Sequence, residues 1–473
     1  MRTSTISQEI LTDKKKPEKQ RKSPKEIIKR ILISIGVVAF WIGVWQIIYM
    51  TVGMDVIIPS PLGVAKRVWE LLLTADFWVI TASSVIRILL GYLCGILIGL
   101  FLAGVTYWSG FMYALMKPVI SIARATPVAS MTVIIIVWVT NKAVPLFIVG
   151  LMVFPIIWGN TYEGIKNTDK KLLQMSESFS VGFFSKLLHI YIPSVYPYFI
   201  AGASTALGLA WKSGVAAEIL GTTQGSVGQQ LNTAKVTLDS EGKFAWTVVV
   251  IVLSIIFERA FVKLLSHTSL RFSVKSKSSQ NAESAENEGF VKAENIYKAF
   301  GETKVLTDVS AQVQKGEVVS LRGVSGAGKT TLLMIISGLM KPDKGKVQTK
   351  GGVNFLFQED RLLPWLTVKE NILFVNRSAD TDALLTLVSL EGCEDMYPDE
   401  LSGGMKRRLA IARTLAGKGG VTILDEPFTG LDEELRAQVS ERVFEYLKNH
   451  AVILVTHDSA ESDRFADREF LIS

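Results

Sequence analysis

Long apolar runs dominate the chain as far as about Arg271, whereas short apolar stretches and amphipathic helical patterns take over from Gly289. Two unlike halves are therefore joined in one polypeptide. The first run, Ile31 to Met50 (ILISIGVVAFWIGVWQIIYM), is twenty residues without a charge, enough at about 1.5 Å per residue to cross a hydrocarbon core of roughly 30 Å. Further spans are expected over 84–106, 119–140, 143–162, 195–217 and 244–265, which makes six, with Arg124 and Pro127 interrupting the third. No small-residue cleavage site follows the first run, so it reads as a membrane helix rather than a signal peptide. Six crossings return the chain to its starting side. The basic stretch Lys14 to Arg30 (KKKPEKQRKSPKEIIKR) marks that side as cytoplasmic.

In the second half the pattern predicts strands at EVVSL, VTILD and AVILV, each running into a loop rich in polar residues. EVVSLRGVSGAGKTT (Glu317 to Thr331) is a strand, a glycine loop and a helix start, the context in which GxxxxGK[ST] forms a phosphate cradle. The loop is Gly323, Val324, Ser325, Gly326, Ala327 and Gly328, followed by Lys329, Thr330 and Thr331. Its N–H groups and the helix dipole attract phosphate oxygens, Lys329 reaches the β- and γ-phosphates, and the Thr330 hydroxyl is placed for Mg²⁺. VTILDEP (Val421 to Pro427) is a buried-strand pattern ending in two carboxylates, expected beside the P-loop strand in a parallel sheet. Asp425 is the expected Mg²⁺ holder through water, and Glu426 the general base that orients the attacking water. His457, after AVILVT, and Gln358, after NFLF, also fall at strand ends. His457 is a candidate to position water or the γ-phosphate; Gln358 has no acid–base chemistry and is a candidate to contact Mg²⁺ or water.

LSGGMKRRLAIAR (Leu401 to Arg413) opens with Ser402 as an N-cap and with Gly403 and Gly404, so an anion can approach the helix start. Met405, Leu409, Ala412 and Ala416 form its apolar stripe. Lys406, Arg407 and Arg413 lie off that stripe and read as a solvated basic face.

Composition narrows this picture further. Two cysteines, Cys94 and Cys393, exclude a disulfide framework and a thiolate metal site. The net charge of +7 lies largely in the basic N-terminal stretch, a placement that suits a membrane surface rather than nucleic acid. Lys212 and Glu218 fall in or beside the fifth span, where an ionisable group is either on a translocation path or snorkelling to the interface. The fold class is thus multidomain, an all-α transmembrane part followed by an α/β P-loop domain. The expected divisions are a basic cytoplasmic segment 1–30, a membrane domain 31–272 with a polar cytoplasmic insertion 163–193, a tether 273–288 and the nucleotide-binding domain 289–473.

In their order, the P-loop, Gln358, LSGGM, LDEP, the GLD of Gly430 to Asp432 and His457 resemble the nucleotide-binding domain of ABC transporters over essentially all of 290–473. The resemblance implies ATP and Mg²⁺ as cofactors, adenine stacking on Phe300, and contact of Ser402, Gly403 and Gly404 with the γ-phosphate held by an opposite subunit. It therefore implies a dimer, with a homodimer as the expected assembly or else a second half-transporter. Met405 stands where the family usually has glutamine. The membrane half resembles an importer permease. QMSESFSVGFFSKLLHIYIP (Gln174 to Pro193) follows the spacing of the EAA coupling loop, with Gln174, Ser176 and Ser180 at its usual Glu, Ala and Gly, and with Ile190 and Pro193 keeping its ending. FQEDRLLPW and ATPVASM are similar to importers of the nitrate, sulfonate, taurine and bicarbonate group, which implies a small anionic solute and a separate extracytoplasmic solute-binding protein. An exporter half-transporter shares the domain order. Exporters of that build carry a TEVGERG-like stretch where this chain has MYPDELSGG, so the importer reading leads. A soluble ABC ATPase acting on nucleic acid is excluded by the apolar spans. The expected location is the plasma membrane, multi-pass, with the N-terminus and the ATPase in the cytoplasm.

Overall fold

The computed structural model describes residues 24–267, 273–275, 290–324 and 326–472. The first part of the basic segment, nearly all of the tether and Ser325 lie outside them. The chain divides into two compact units. One holds residues 24–167 and 194–267, and the other holds 168–193 together with the polar half.

The first unit is all helix: Pro24–Val52, Pro61–Leu72, Ala75–Trp108, Gly110–Ala125, Val128–Ile136, Val144–Lys166, Ile192–Leu220, Val227–Val236 and Ser240–His267. Among the described residues four of these are long and apolar enough to cross a membrane, and a fifth crossing is available if one bent pair is counted. That pair corrects the expected third span. Gly110–Ala125 and Val128–Ile136 meet at 104° instead of running on as one helix over 119–140. Pro127 lacks an N–H and pushes Thr126 into extended backbone (ψ 128°), which ends the first helix there. Arg124 turns aside and donates to Pro155 O. Ile192–Leu220, over the expected fifth span, is 29 residues long, but Lys212, Glu218 and many small residues keep it less apolar than the others.

Small residues set the closest approach in this unit. Gly91, Gly95 and Gly99 recur every fourth residue along Ala75–Trp108 and meet Val149, Val153 and Ile157 of Val144–Lys166. A Cβ on Gly95 would stand 2.7 Å from Val153 Cβ and 3.0 Å from Gly150 O. The seam is the small-xxx-small packing of helices that have no water to drive them together. Tyr92, beside it, donates to Ala203 O at 2.8 Å and draws in Ile192–Leu220. Gly95→Leu is expected to cost at least about 1–3 kcal/mol, as overpacked cores do, and to lower the midpoint of thermal unfolding in detergent. An unchanged midpoint would contradict the seam.

The second unit contains two sheets. β1 (Phe290–Phe300), β2 (Thr303–Val313) and β4 (Lys344–Lys350) make an antiparallel sheet in the order β2-β1-β4. β3 (Val318–Arg322), β5 (Val353–Leu356), β6 (Val421–Asp425), β7 (Ala451–Val455) and β8 (Arg468–Leu471) make a parallel sheet in the order β5-β6-β7-β3-β8. β6 was expected beside the P-loop strand β3, but β7 is inserted between them. β7 is buried along its whole length between these neighbours, which suits its wholly apolar AVILV. Leu172, Met175, Val181 and Ile190 of the insertion share a buried cluster with Phe355, Phe357, Leu363 and Phe374.

Candidate functional site

Parallel strands carry their carboxyl ends to one edge of the sheet, and four adjacent strands deliver the expected residues there. Gln358 follows β5, Asp425 ends β6 with Glu426 next after it, Thr456 and His457 follow β7, and Gly323 begins the loop after β3. Arg322, Gly323, Lys329, Thr456, His457 and Ser459 line one polar cavity.

The helix Lys329–Ile336 starts from Gly328, whose φ of +91° only glycine adopts freely. A Cβ there would also meet Val305 O at 2.9 Å and Leu306 at 2.8 Å, so β2 closes the loop from behind. Lys329 Nζ donates to Gly323 O at 2.7 Å and Val324 O at 3.2 Å, which holds its charge across the loop's mouth. Thr330 is exposed at the helix start. Phe300, at the end of β1, is half exposed and presents an aromatic surface.

Asp425 is buried, and its carboxyl is pushed up to about 6, first by burial and then by Glu426, against the pull of Arg407, Lys329 and His457. Glu426 sits in left-handed backbone (φ +51°), a strained position for a non-glycine residue, with its N–H bonded to Val455 O at 2.8 Å. His457 Nε2 stands 3.3 Å from Glu426 Oε1, at ion-pair range but without the alignment of a hydrogen bond. That buried oxygen has no hydrogen-bond donor among the described residues. Two adjacent carboxylates with one oxygen uncommitted suit a divalent cation.

Ser402 caps the helix Gly403–Leu415 by accepting from Met405 N at 3.3 Å. Gly403 is exposed, and a Cβ on it would meet nothing within 4 Å, so packing within the chain does not require glycine there. The solvated basic face expected for this helix is only partly present. Arg407 and Arg413 are 4% and 2% exposed, because both side chains turn inward to the carbonyls of Phe357 to Arg361. Arg407, read from the sequence as solvated, thus braces the loops that carry Gln358 and Glu426. A signal existed in the KRRxxxxR spacing of Lys406 to Arg413, but the acceptors lie 18 to 53 positions away.

The residues expected to form the coupling loop fall in the second unit, against the loop after β5. Lys171 Nζ is 2.6 Å from Glu359, Arg361 donates to Gln174 Oε1 at 3.2 Å, and Trp365 Nε1 donates to His189 O at 2.8 Å. Ser176 and Ile190 are wholly buried, and Pro193 lies at the start of Ile192–Leu220. Ser180 takes φ +53°, the left-handed geometry that explains why a glycine suits this position. In the first unit, Lys212 and Glu218 are not brought together. Lys212 is exposed, while Glu218 is fully buried, 3.3 Å from Arg87, and accepts from Ser84 Oγ and Gly228 N. Glu218 ties three helices together rather than reaching for water.

Family comparison agrees with both halves. Residues 306–429 match the family described as ABC transporter, and residues 95–267 match the family described as binding-protein-dependent transport system inner membrane component. The aliphatic sulfonates import ATP-binding protein SsuB 1 of Pseudomonas aeruginosa is 41% identical over 197 residues, covering 37% of this chain and 79% of that one. An uncharacterized ABC transporter ATP-binding protein, YtlC of Bacillus subtilis, is 38% identical over 190 residues, covering 36% and 73%. A probable sulfate/thiosulfate import ATP-binding protein of Chlorella vulgaris is 36% identical over 201 residues, covering 38% and 85%. A solved ATP-binding cassette, dimeric and bound to ADP and phosphate, is 30% identical, with 39% and 94% covered and a TM-score of 0.36. The chain belongs to the ABC transporter family, as a membrane protein that joins an importer-type permease to an ATPase whose hydrolysis of ATP is coupled to transport.

Proposed function

We propose that this chain is a half-transporter importing a small anionic solute of the sulfonate type, delivered by a separate extracytoplasmic solute-binding protein, and that it works as a dimer. The observation carrying the substrate class is the 41% identity of its ATPase half to a sulfonate import protein. The order of a basic segment and apolar spans supports a cytoplasmic N-terminus and a cytoplasmic ATPase, and the division at 31–272 and 289–473 follows from the same reading.

In this reading the loop N–H groups from Gly323 to Gly328, with Lys329, Thr330 and Thr331, bind the phosphates, and Phe300 stacks on adenine. Glu426 takes the proton of the attacking water, while His457 and Gln358 orient water and γ-phosphate. Ser402, Gly403 and Gly404 complete the opposite subunit's site, a role that fits the open space beside Gly403. Asp425, Thr330 and Gln358 would hold Mg²⁺, whose charge would offset that of the phosphates and of the buried carboxylate pair. Closure of the ATPase dimer moves the Gln174–Pro193 segment through its bonds to Arg361 and Trp365, and through the Lys171–Glu359 ion pair just before it, and alternates access in the permease.

The full chain reconstituted in liposomes with its cognate solute-binding protein tests the substrate class. ATP turnover is expected to rise several-fold with an alkanesulfonate, sulfate, nitrate or bicarbonate, and not with amines or neutral analogues. Stimulation by an amine alone would overturn the anionic reading.

A further inference from the structure

Arg407 lies one turn beyond the Ser402–Gly404 helix start and is buried among backbone carbonyls. Its Nε donates to Pro427 O at 3.0 Å, and its Nη2 donates to Asp425 O at 2.6 Å and to Glu426 O at 2.7 Å. Its Nη1 donates to Phe357 O at 2.7 Å, Gln358 O at 3.2 Å and Asp360 Oδ1 at 3.2 Å. One guanidinium thus spans two loops, and these two loops carry Glu426 and Gln358. A buried cation is costly unless its donors are met, and every nitrogen of this fork has an acceptor.

The grip on the β6 loop has a particular consequence. A left-handed non-glycine residue costs of order 1–3 kcal/mol and persists only where its surroundings hold it. Glu426 is such a residue (φ +51°), and the carbonyls before, at and after its strained turn all accept from Arg407. Arg413, equally buried on the same helix, bonds Asp360 O and Arg361 O but nothing in the β6 loop. The two arginines therefore separate holding the β5 loop from holding the base.

We propose that Arg407 is a positioning residue for ATP hydrolysis: it fixes the Asp425–Glu426–Pro427 turn and the Phe357–Asp360 loop to the helix Gly403–Leu415, so that base, glutamine and Ser402–Gly404 move as one body. This rests on Glu426 being the base. A change felt by the helix start at one ATP site then reaches the base of the other through one side chain.

The test compares Arg407→Gln, Arg407→Lys, Arg413→Gln and Glu426→Gln in the full chain, reading kcat, KM for ATP, fluorescent-ATP affinity and unfolding midpoint. Arg407→Gln is expected to lower kcat by at least thirtyfold with KM and affinity within about threefold. Arg407→Lys, which keeps the charge and reaches some of the carbonyls, should recover to within about tenfold of wild type, and Arg413→Gln should cost less than threefold. If Glu426→Gln is inactive while Arg407→Gln keeps kcat within threefold, or loses no more than Arg413→Gln, the positioning role is overturned and the base assignment stands. If Glu426→Gln hydrolyses normally, the base assignment falls and Arg407's role falls with it. Should Arg407→Gln fail to fold, Arg407→Lys decides: wild-type kcat overturns the role, and a lowered kcat at unchanged ATP affinity supports it.

Discussion

Glu426→Gln is expected to lower ATP turnover by two to four orders of magnitude while ATP affinity stays within a few-fold. The size is what a positioned general base contributes, the role proposed for Glu426. Glutamine keeps the shape and an acceptor oxygen, so the left-handed turn, its bond to Val455 O and the carbonyl contacts of Arg407 should persist. What disappears is the proton acceptor beside His457. Binding can be followed without turnover, because a ligand at about a hundred times its Kd stabilises the folded state by about 2.7 kcal/mol. Glu426→Gln should therefore keep the ATP-dependent rise in unfolding temperature. Hydrolysis at more than half the wild-type rate would remove Glu426 from the mechanism.

Lys329→Ala is expected to abolish turnover for the opposite reason, by weakening ATP binding itself. A hydrogen bond to a charged group is worth about 1.5–3 kcal/mol, so losing the contact to the β- and γ-phosphates should raise the Kd by roughly ten- to a hundredfold. The loop should survive, because among the described residues Lys329 donates only to carbonyls of its own loop, and Gly328 and β2 define the turn independently. The ATP-dependent thermal shift should then disappear in Lys329→Ala and persist in Glu426→Gln. Wild-type ATP affinity in Lys329→Ala would contradict the placement of this lysine.

The parts legible from sequence were those in which a local pattern specifies a local structure. Strand-then-loop punctuation identified β3, β6 and β7 and the residues at their ends, and the apolar run of Ile31 to Met50 lies within a 29-residue helix. Ser402 is the N-cap its position suggested. Patterns failed where distant groups decide the outcome. The helical repeat of Met405, Leu409, Ala412 and Ala416 assigns Arg407 and Arg413 to solvent, because a wheel counts apolar side chains and cannot see carbonyls fifty residues away. Strand order is similarly a matter of crossovers: nothing in VTILDEP reveals that β7 will lie between it and the P-loop strand. Glu218 illustrates the same limit, since its partners Ser84 and Arg87 sit on another helix more than a hundred residues earlier. The break at Thr126 and Pro127 was visible as a proline, but a proline alone does not fix a bend of 104°.

The insertion's place in the ATPase core bears on biogenesis. Leu172, Met175, Val181 and Ile190 pack against residues such as Phe355, Leu363 and Phe374 that are translated much later. At about 5–20 residues per second the apolar face of the insertion waits on the order of tens of seconds before its receptor leaves the ribosome. Were the receptor a separate polypeptide, that face would have to find it by diffusion. Carried on the same chain, it meets the receptor at the high effective concentration that tethering gives, so synthesis itself pairs each permease with one ATPase.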